Sequence, residues 1–263
     1  MKNFLTAIKA SVDAGNEILK VYNSDNFDVE IKNDKSPLTR ADKNAHQKIM
    51  EYLTNTDIPV LSEEGRNIPY DERKNWQQLW IVDPLDGTKE FIKRNDEFTV
   101  NIALIENHKP VFGVIFVPVT GELYFGIKQK GAYKLNTSDI NILKTDIETL
   151  ITKAVKLPQK TERKFTVVAS RSHLSPETEQ FINKLKKEYS ELISISRGSS
   201  LKLCAVAEGS ADVYPRFAPT MEWDTAAGQA IVEASGAVVS QVSGEPVVYN
   251  KQDLLNPWFI VKS

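Results

Sequence analysis

Leu79-Trp80-Ile81-Val82-Asp83-Pro84-Leu85-Asp86-Gly87-Thr88 is the stretch whose reading matters most for this chain. Its apolar run through Val82 predicts a short strand. Pro84 cannot continue a sheet ladder and Gly87 permits a tight turn, so Asp83 and Asp86 curl around one point at the strand's C-terminal end. Two carboxylates there suit a hard cation. Mg²⁺ takes six oxygens, keeps several waters, and is usually held by a few carboxylates together with phosphate oxygens. The peptide oxygen of Leu85 adds a donor. Residues 88–92 read as the opening of a helix, whose free N–H groups favour a phosphate at the same place. Asp-Pro and Asp-Gly are also common turn-makers, and an isolated pair of aspartates would be no more than that.

The pair is not isolated. Glu63-Glu64 follows the apolar Val60-Leu61, which places carboxylates at a second strand end. Asp224 follows Trp223 and precedes a helical pattern over 225–235, where an Asp is expected as the N-cap. Asp42 closes Thr39-Arg40-Ala41-Asp42, a capping-box pattern in which the acid serves the start of a helix and one oxygen stays available. Each acid alone has an ordinary structural use. Together they suggest a site.

Around these acids the chain reads as mixed α and β. Leu5, Ile8, Val12, Ile18, Leu19 and Tyr22 recur at three- and four-residue steps, predicting a first helix to about Val21. A second helix follows Pro37 and buries Ala45, Ile49 and Leu53. Four β-rich segments from Phe98, with turns near Asn107, Gly121 and Gly131, predict an antiparallel meander. Residues 136–164 are polar and weakly periodic, so they are expected as a junction between an N-terminal part, 1–135, and a C-terminal part, 136–263. The second part alternates strand (165–169), helix (175–189), strand (192–196), helix (200–208), strand (211–214) and helix (225–235), then two strands, the pattern of an α/β layer.

Composition narrows the function. The 263 residues are 41% hydrophobic and 26% charged, as in ordinary globular proteins. Apolar runs such as 111–117 are far short of the ~20 residues that span a bilayer, and the start lacks a signal-peptide core. Thirty-three basic against 35 acidic residues, net −2, offer no general attraction to a nucleic acid polymer, so an anionic substrate must be held locally. The single cysteine, Cys204, reads as a buried thiol in a reducing cytoplasm. No His or Cys pair has zinc-site spacing, no glycine-rich loop ends in Lys-Ser or Lys-Thr, and no Gly-x-Ser-x-Gly elbow is present.

Read together, Asp-Lys-Ser-Pro-Leu-Thr-Arg-Ala-Asp (34–42), Leu-Ser-Glu-Glu (61–64), Asp-Pro-Leu-Asp-Gly-Thr (83–88) and Trp-Asp-Thr-Ala-Ala-Gly (223–228) resemble the inositol monophosphatase superfamily. The stretch 83–95, Ser170-Arg171-Ser172-His173 and Tyr214-Pro215-Arg216 look most like its bacterial 3'(2'),5'-bisphosphate nucleotidases. The resemblance implies an α+β fold, a layered αβαβα sandwich, and a cytoplasmic enzyme, with a peripheral place at the inner membrane left open. It implies removal of the 3'-phosphate of adenosine 3',5'-bisphosphate to give AMP, with two or three Mg²⁺ ions and inhibition by lithium. Carried over residue by residue, Glu63, Asp83, Asp86 and Asp224 with the Leu85 carbonyl become metal ligands, and Asp42 and Thr88 activate the attacking water.

Gly198-Ser199-Ser200-Leu201-Lys202 reads as a loop entering a helix, so Ser199, Lys202 and Arg216 are expected to bind a second phosphate. Gly87, Thr88 and Asp224 are expected to touch the substrate as well, and the resemblance places His173 beside base or sugar. The alternatives are an inositol monophosphatase or sugar-bisphosphate phosphatase, and a sensor that binds metal and nucleotide without turnover.

Overall fold

A computed structural model gives the fold, and it describes residues 1–24, 26–31, 37–159, 162–170 and 175–263, to which every count below refers. The elements in chain order are α1 (Lys2–Tyr22), β1 (Glu30–Ile31), β2 (Pro37–Leu38), α2 (Arg40–Leu53), β3 (Val60–Ser62), α3 (Tyr70–Arg73), β4 (Gln78–Asp86), α4 (Thr88–Ile92), β5 (Thr99–Glu106), β6 (Lys109–Val117), β7 (Glu122–Ile127) and β8 (Gly131–Asn136). There follow α5 (Ile147–Lys153), β9 (Val155–Leu157), β10 (Thr166–Ser170), α6 (Pro176–Glu188), β11 (Ile193–Arg197), α7 (Leu201–Glu208), β12 (Val213–Arg216), α8 (Glu222–Ser235), β13 (Val238–Gln241) and β14 (Phe259–Lys262).

Two sheets carry the architecture. A seven-stranded sheet runs in plain order from β3 to β9, with β3 parallel to β4 and every other neighbour antiparallel. A five-stranded sheet has the order β11-β10-β12-β14-β13, with a parallel half and an antiparallel half. The period-2 alternation of β4 and β5 assigns the layers. Trp80, Val82, Val100 and Ile102 face α1 and α2, while Leu79, Ile81, Ala103 and Ile105 face a core shared with α7, α8 and the second sheet. Beyond that sheet, Val167, Ala169 and Val213 pack with Ile182 of α6. The sequence of layers is helices, sheet, helices, sheet, helix, which is the αβαβα sandwich.

The middle helical layer sits unusually close to the first sheet. A Cβ on Gly113 would run into the Ala227 carbonyl of α8, and one on Gly126 into the backbone of Ile231. Glycine at both points lets α8 lie directly on β6 and β7. That brings the N-terminus of α8 to the end of β4.

The first helix, the second helix with its buried Ala45, Ile49 and Leu53, and the antiparallel meander follow the sequence pattern. Residues 136–164, expected as a junction, behave differently: Ile142, Ile147 and Leu150 join the core under α1, and β9 adds a strand beside β8. The reason is an apolar residue every few positions, too sparse to register as periodic yet enough to cover an open sheet edge. The helix expected from Thr225 starts three residues earlier, at Glu222.

Candidate active site

At the end of β4 the ladder breaks. Asp83 pairs with Asn101 and Asp86 with Thr99, so β4 carries one more residue than β5 across the same interval, a bulge that holds Pro84 and Leu85. The Leu85 amide folds back to donate to Asp83 Oδ1 at 3.1 Å. Gly87 then adopts φ 94°, a left-handed conformation that costs a glycine little, and caps α4. By this turn both aspartates of the strand end face α8.

Asp224 meets them there. Ligand atoms of Asp83, Asp86 and Asp224 lie within 4.8 Å of one another. Glu63, one residue past β3, lines the same cavity, a cleft of about 380 Å³ that also includes Leu85, Gly87, Thr88, Ser199, Lys202 and Arg216. Asp224 is the third residue of α8 and not its N-cap. Met221 holds the cap position, and its amide donates to Asp224 Oδ2 at 2.8 Å. The sequence signal misplaced the cap because methionine is not a capping residue type.

Asp42 occupies the equivalent place in α2. Its Oδ2 accepts from the Thr39 amide at 2.7 Å and the Thr39 hydroxyl at 2.6 Å, completing the expected capping box. Its Oδ1 is 3.2 Å from the Thr88 hydroxyl, which also lies 3.3 Å from the Leu85 carbonyl. One oxygen of Asp42 serves the helix and the other reaches the site.

So much negative charge in one place is costly. Burial, reinforced by Glu63, Asp86, Asp224 and Asp42, pushes the Asp83 carboxyl well above its usual range. Burial and the neighbouring Asp86 push Asp224 up to about 8. Carboxylates forced together in this way need either protons or a cation, and an all-oxygen donor set of carboxylates with a peptide carbonyl fits a hard divalent ion. The residues present therefore suit Mg²⁺.

The substrate candidates divide. Lys202 is buried, and its ammonium donates to the carbonyls of Arg197 and Ser199 and lies 5.7 Å from the Tyr214 ring centre. Burial pulls its pKa down to about 8, with Arg216 adding to the shift and Asp86 opposing it. Lys202 thus supports the 197–199 turn from beneath, a role beyond the phosphate contact expected of it. Ser199 likewise spends its hydroxyl on Asp86 Oδ2 at 2.7 Å. Arg216 is the exception: its Nη2 donates to the Pro219 carbonyl at 3.0 Å, but its buried Nε finds no acceptor among the described residues. His173 lies outside the described residues.

Three further residues lie at the site: Thr99 and Asn101, which carry no expectation from the sequence, and Ser200, which is quoted there only as part of the 198–202 loop. All are buried and bonded to one another or to Asp86. The available signal was the polar pair Thr99 and Asn101 two apart in an otherwise apolar strand, since buried polar side chains require partners.

The family model described as "Inositol monophosphatase family" matches residues 1–258. The chain belongs to the inositol monophosphatase family. Within it, the chain is similar to the 3'(2'),5'-bisphosphate nucleotidase CysQ of Escherichia coli strain K12, at 44% identity over 253 residues covering 95% of each chain. The crystal structure of CysQ from Bacteroides thetaiotaomicron, described as a bacterial member of the inositol monophosphatase family, covers 100% of this chain and 97% of its own, with TM-score 0.91 and 53% identity. The extragenic suppressor protein suhB from Bartonella henselae, at 24% identity and TM-score 0.76, shares the fold.

Proposed function

We infer that this member of the inositol monophosphatase family is a 3'(2'),5'-bisphosphate nucleotidase that hydrolyses the 3'-phosphate of adenosine 3',5'-bisphosphate to AMP and inorganic phosphate, with Mg²⁺ as cofactor. Glu63, Asp83, Asp86, Asp224 and the Leu85 carbonyl hold the cations, two or three in number. When bound, the cations supply positive charge to the phosphate and lower the pKa of water.

The residues of the chain do the rest. Thr88 and Asp42 orient a water for attack on phosphorus, with the Thr88 oxygen accepting a hydrogen bond from it and Asp42 Oδ1 drawing the proton through that contact. The bond between phosphorus and the 3'-oxygen breaks as the water oxygen bonds to phosphorus. The proton drawn toward Asp42 passes on to solvent, and the leaving 3'-oxygen takes one from solvent water to end as the ribose hydroxyl. Gly87, Thr88 and Asp224 line the approach of the scissile group, and Ser199, Lys202 and Arg216 line the side proposed for the second phosphate. The cytoplasm is the setting that agrees with a single buried cysteine, and no described helix is long and apolar enough to cross a membrane.

One observation carries the preference for a bisphosphate: the buried, partnerless Nε of Arg216 on the wall of the cavity that holds the acids. A buried donor without an acceptor costs about 1–3 kcal/mol, and an anionic group seated there removes that cost. Lys202 adds its charge from below.

The test compares kcat/KM for adenosine 3',5'-bisphosphate, 3'-AMP and inositol 1-phosphate in the parent and in Arg216→Ala. A charge-assisted contact of ~1.5–3 kcal/mol predicts a loss of about one to two powers of ten on the bisphosphate alone. Equal losses on all three, or a parent that prefers inositol 1-phosphate, would transfer the site to a different alcohol.

A further inference from the structure

Asn101 is 1% exposed in the middle of β5, on the face that looks toward α7 and α8, directly across from Asp83. Its amide nitrogen donates to Ser200 Oγ at 2.8 Å and to Asp86 Oδ2 at 3.3 Å, and its amide oxygen accepts from the Thr99 hydroxyl at 2.8 Å. Ser200, which precedes the first residue of α7, donates to the same Asp86 Oδ2 at 2.7 Å and sits 3.1 Å from the Asp224 carbonyl. Ser199 adds a third donor to that oxygen. A carboxylate oxygen can only accept, so the orientation of the Asn101 amide follows: nitrogen toward Asp86, oxygen toward Thr99. Three donors, one from β5 of the first sheet and two from the β11–α7 connection of the second, thus converge on one oxygen of one carboxylate.

A side chain in an apolar strand has no packing reason to be Asn. A leucine would fill the space and spare the desolvation of an amide. The arrangement instead spends a buried amide and two hydroxyls on immobilising Asp86, which can then present its remaining lone pairs in one direction. Partners behind a metal ligand that fix its orientation commonly set metal affinity.

We propose that Asn101 and Ser200 are positioning residues that lock the Asp86 carboxylate for cation binding and tie it to the 198–200 turn. Because that turn lies on the wall of the substrate cavity, Asp86 links cation affinity to the setting of the substrate loop. The proposal rests on the reading of the acids as a cation site.

The experiment measures binding of Mn²⁺ to the substrate-free protein by water-proton relaxation, with Mg²⁺ as competitor. Asn101→Leu, near in volume and without a donor, is expected to raise the Mn²⁺ dissociation constant about 10–100-fold. Ser200→Ala should do so in the same direction. Thr99→Val, which keeps shape and removes the hydroxyl that orients the Asn101 amide, should give a smaller rise and still fold if Asn101→Leu does not. Tyr124→Phe, which loses a hydrogen bond to Glu208, is the control whose melting temperature falls with cation affinity unchanged. Unchanged affinity in all three variants, with parent binding intact, overturns the positioning roles. A parent that binds no Mn²⁺ overturns the cation reading beneath them.

Discussion

The starts of α2 and α8 place an aspartate at the same third position, use one carboxylate oxygen to hold the preceding turn, and bring the acid to the site's edge, yet they are built from different materials. At α2 everything needed lies within four residues: Thr39 and Asp42 exchange hydrogen bonds, and both are buried. At α8 the cap residue is Met221, and the support comes from far down the chain. Asn256 Nδ2 donates to the Met221 carbonyl at 2.7 Å, to Thr225 Oγ1 at 2.9 Å and to Thr220 Oγ1 at 3.3 Å. Glu222, fully buried, accepts from the amides of Asn250 and Lys251 and from the Lys251 ammonium. One acid is positioned by local chemistry and the other by tertiary chemistry.

The comparison makes its largest prediction at Asp42. Asp42→Asn keeps an oxygen for the cap and loses the anion that faces Thr88, so kcat should fall about 10²–10⁴-fold, the range of general-base contributions, with the melting temperature nearly unchanged. Steady-state kinetics beside thermal melts separate the two roles. A lowered melting temperature with normal kcat would reduce Asp42 to a cap.

Next in size is Asn256→Ala. It strips three contacts from the α8 start and leaves buried groups unpaired, a loss of about 2–4 kcal/mol by chemical denaturation. It should also weaken Mg²⁺ activation, since Asp224 rides on that turn. Thr39→Ala, the local counterpart, should cost only about 1 kcal/mol. Equal costs at both helix starts would erase the distinction between local and tertiary support.

This distinction also explains what was legible in the sequence. Thr39-x-x-Asp42 is a short-range signal and the capping box forms as expected, whereas the strand expected to end at Val82 runs on to Asp86 because a bulge accommodates Pro84. The contact of Thr88 with Asp42 joins residues 46 positions apart, and only the resemblance pointed to it. The layered αβαβα fold followed from the resemblance, while alternation pointed only to an α/β layer in the second half. Asp224 lies beside Asp83 and Asp86, but its cap is Met221, a residue type with no capping signal, and the groups that hold that turn sit 28 or more residues later, at 250–256, where single-chain patterns say nothing. Asn101 was missed for a related reason. Its partners, Asp86 and Ser200, come from another strand and from the opposite half of the chain, and only the fold puts them together.

A smaller effect concerns pH in the presence of chelator. Burial and Asp86 raise Asp224 from the usual 3.8 to about 8, and Asp83 is raised too. A carboxyl whose folded pKa exceeds its unfolded value contributes stability that is complete below the unfolded value and is lost as pH climbs through the folded one. The melting temperature of chelated protein should therefore decline from about pH 5 to pH 8, and saturating Mg²⁺ should flatten that decline. A chelated protein equally stable across this window would mean that the acids are not crowded as described.

The most direct test of the central claim is phosphate release from adenosine 3',5'-bisphosphate by purified protein stripped with chelator and then given back excess Mg²⁺. Turnover should vanish on chelation and return with Mg²⁺, and Asp83→Asn should abolish the recovery while leaving the protein folded. Full turnover in excess chelator, or normal recovery in Asp83→Asn at limiting Mg²⁺, would contradict a cation-dependent phosphatase built on these acids.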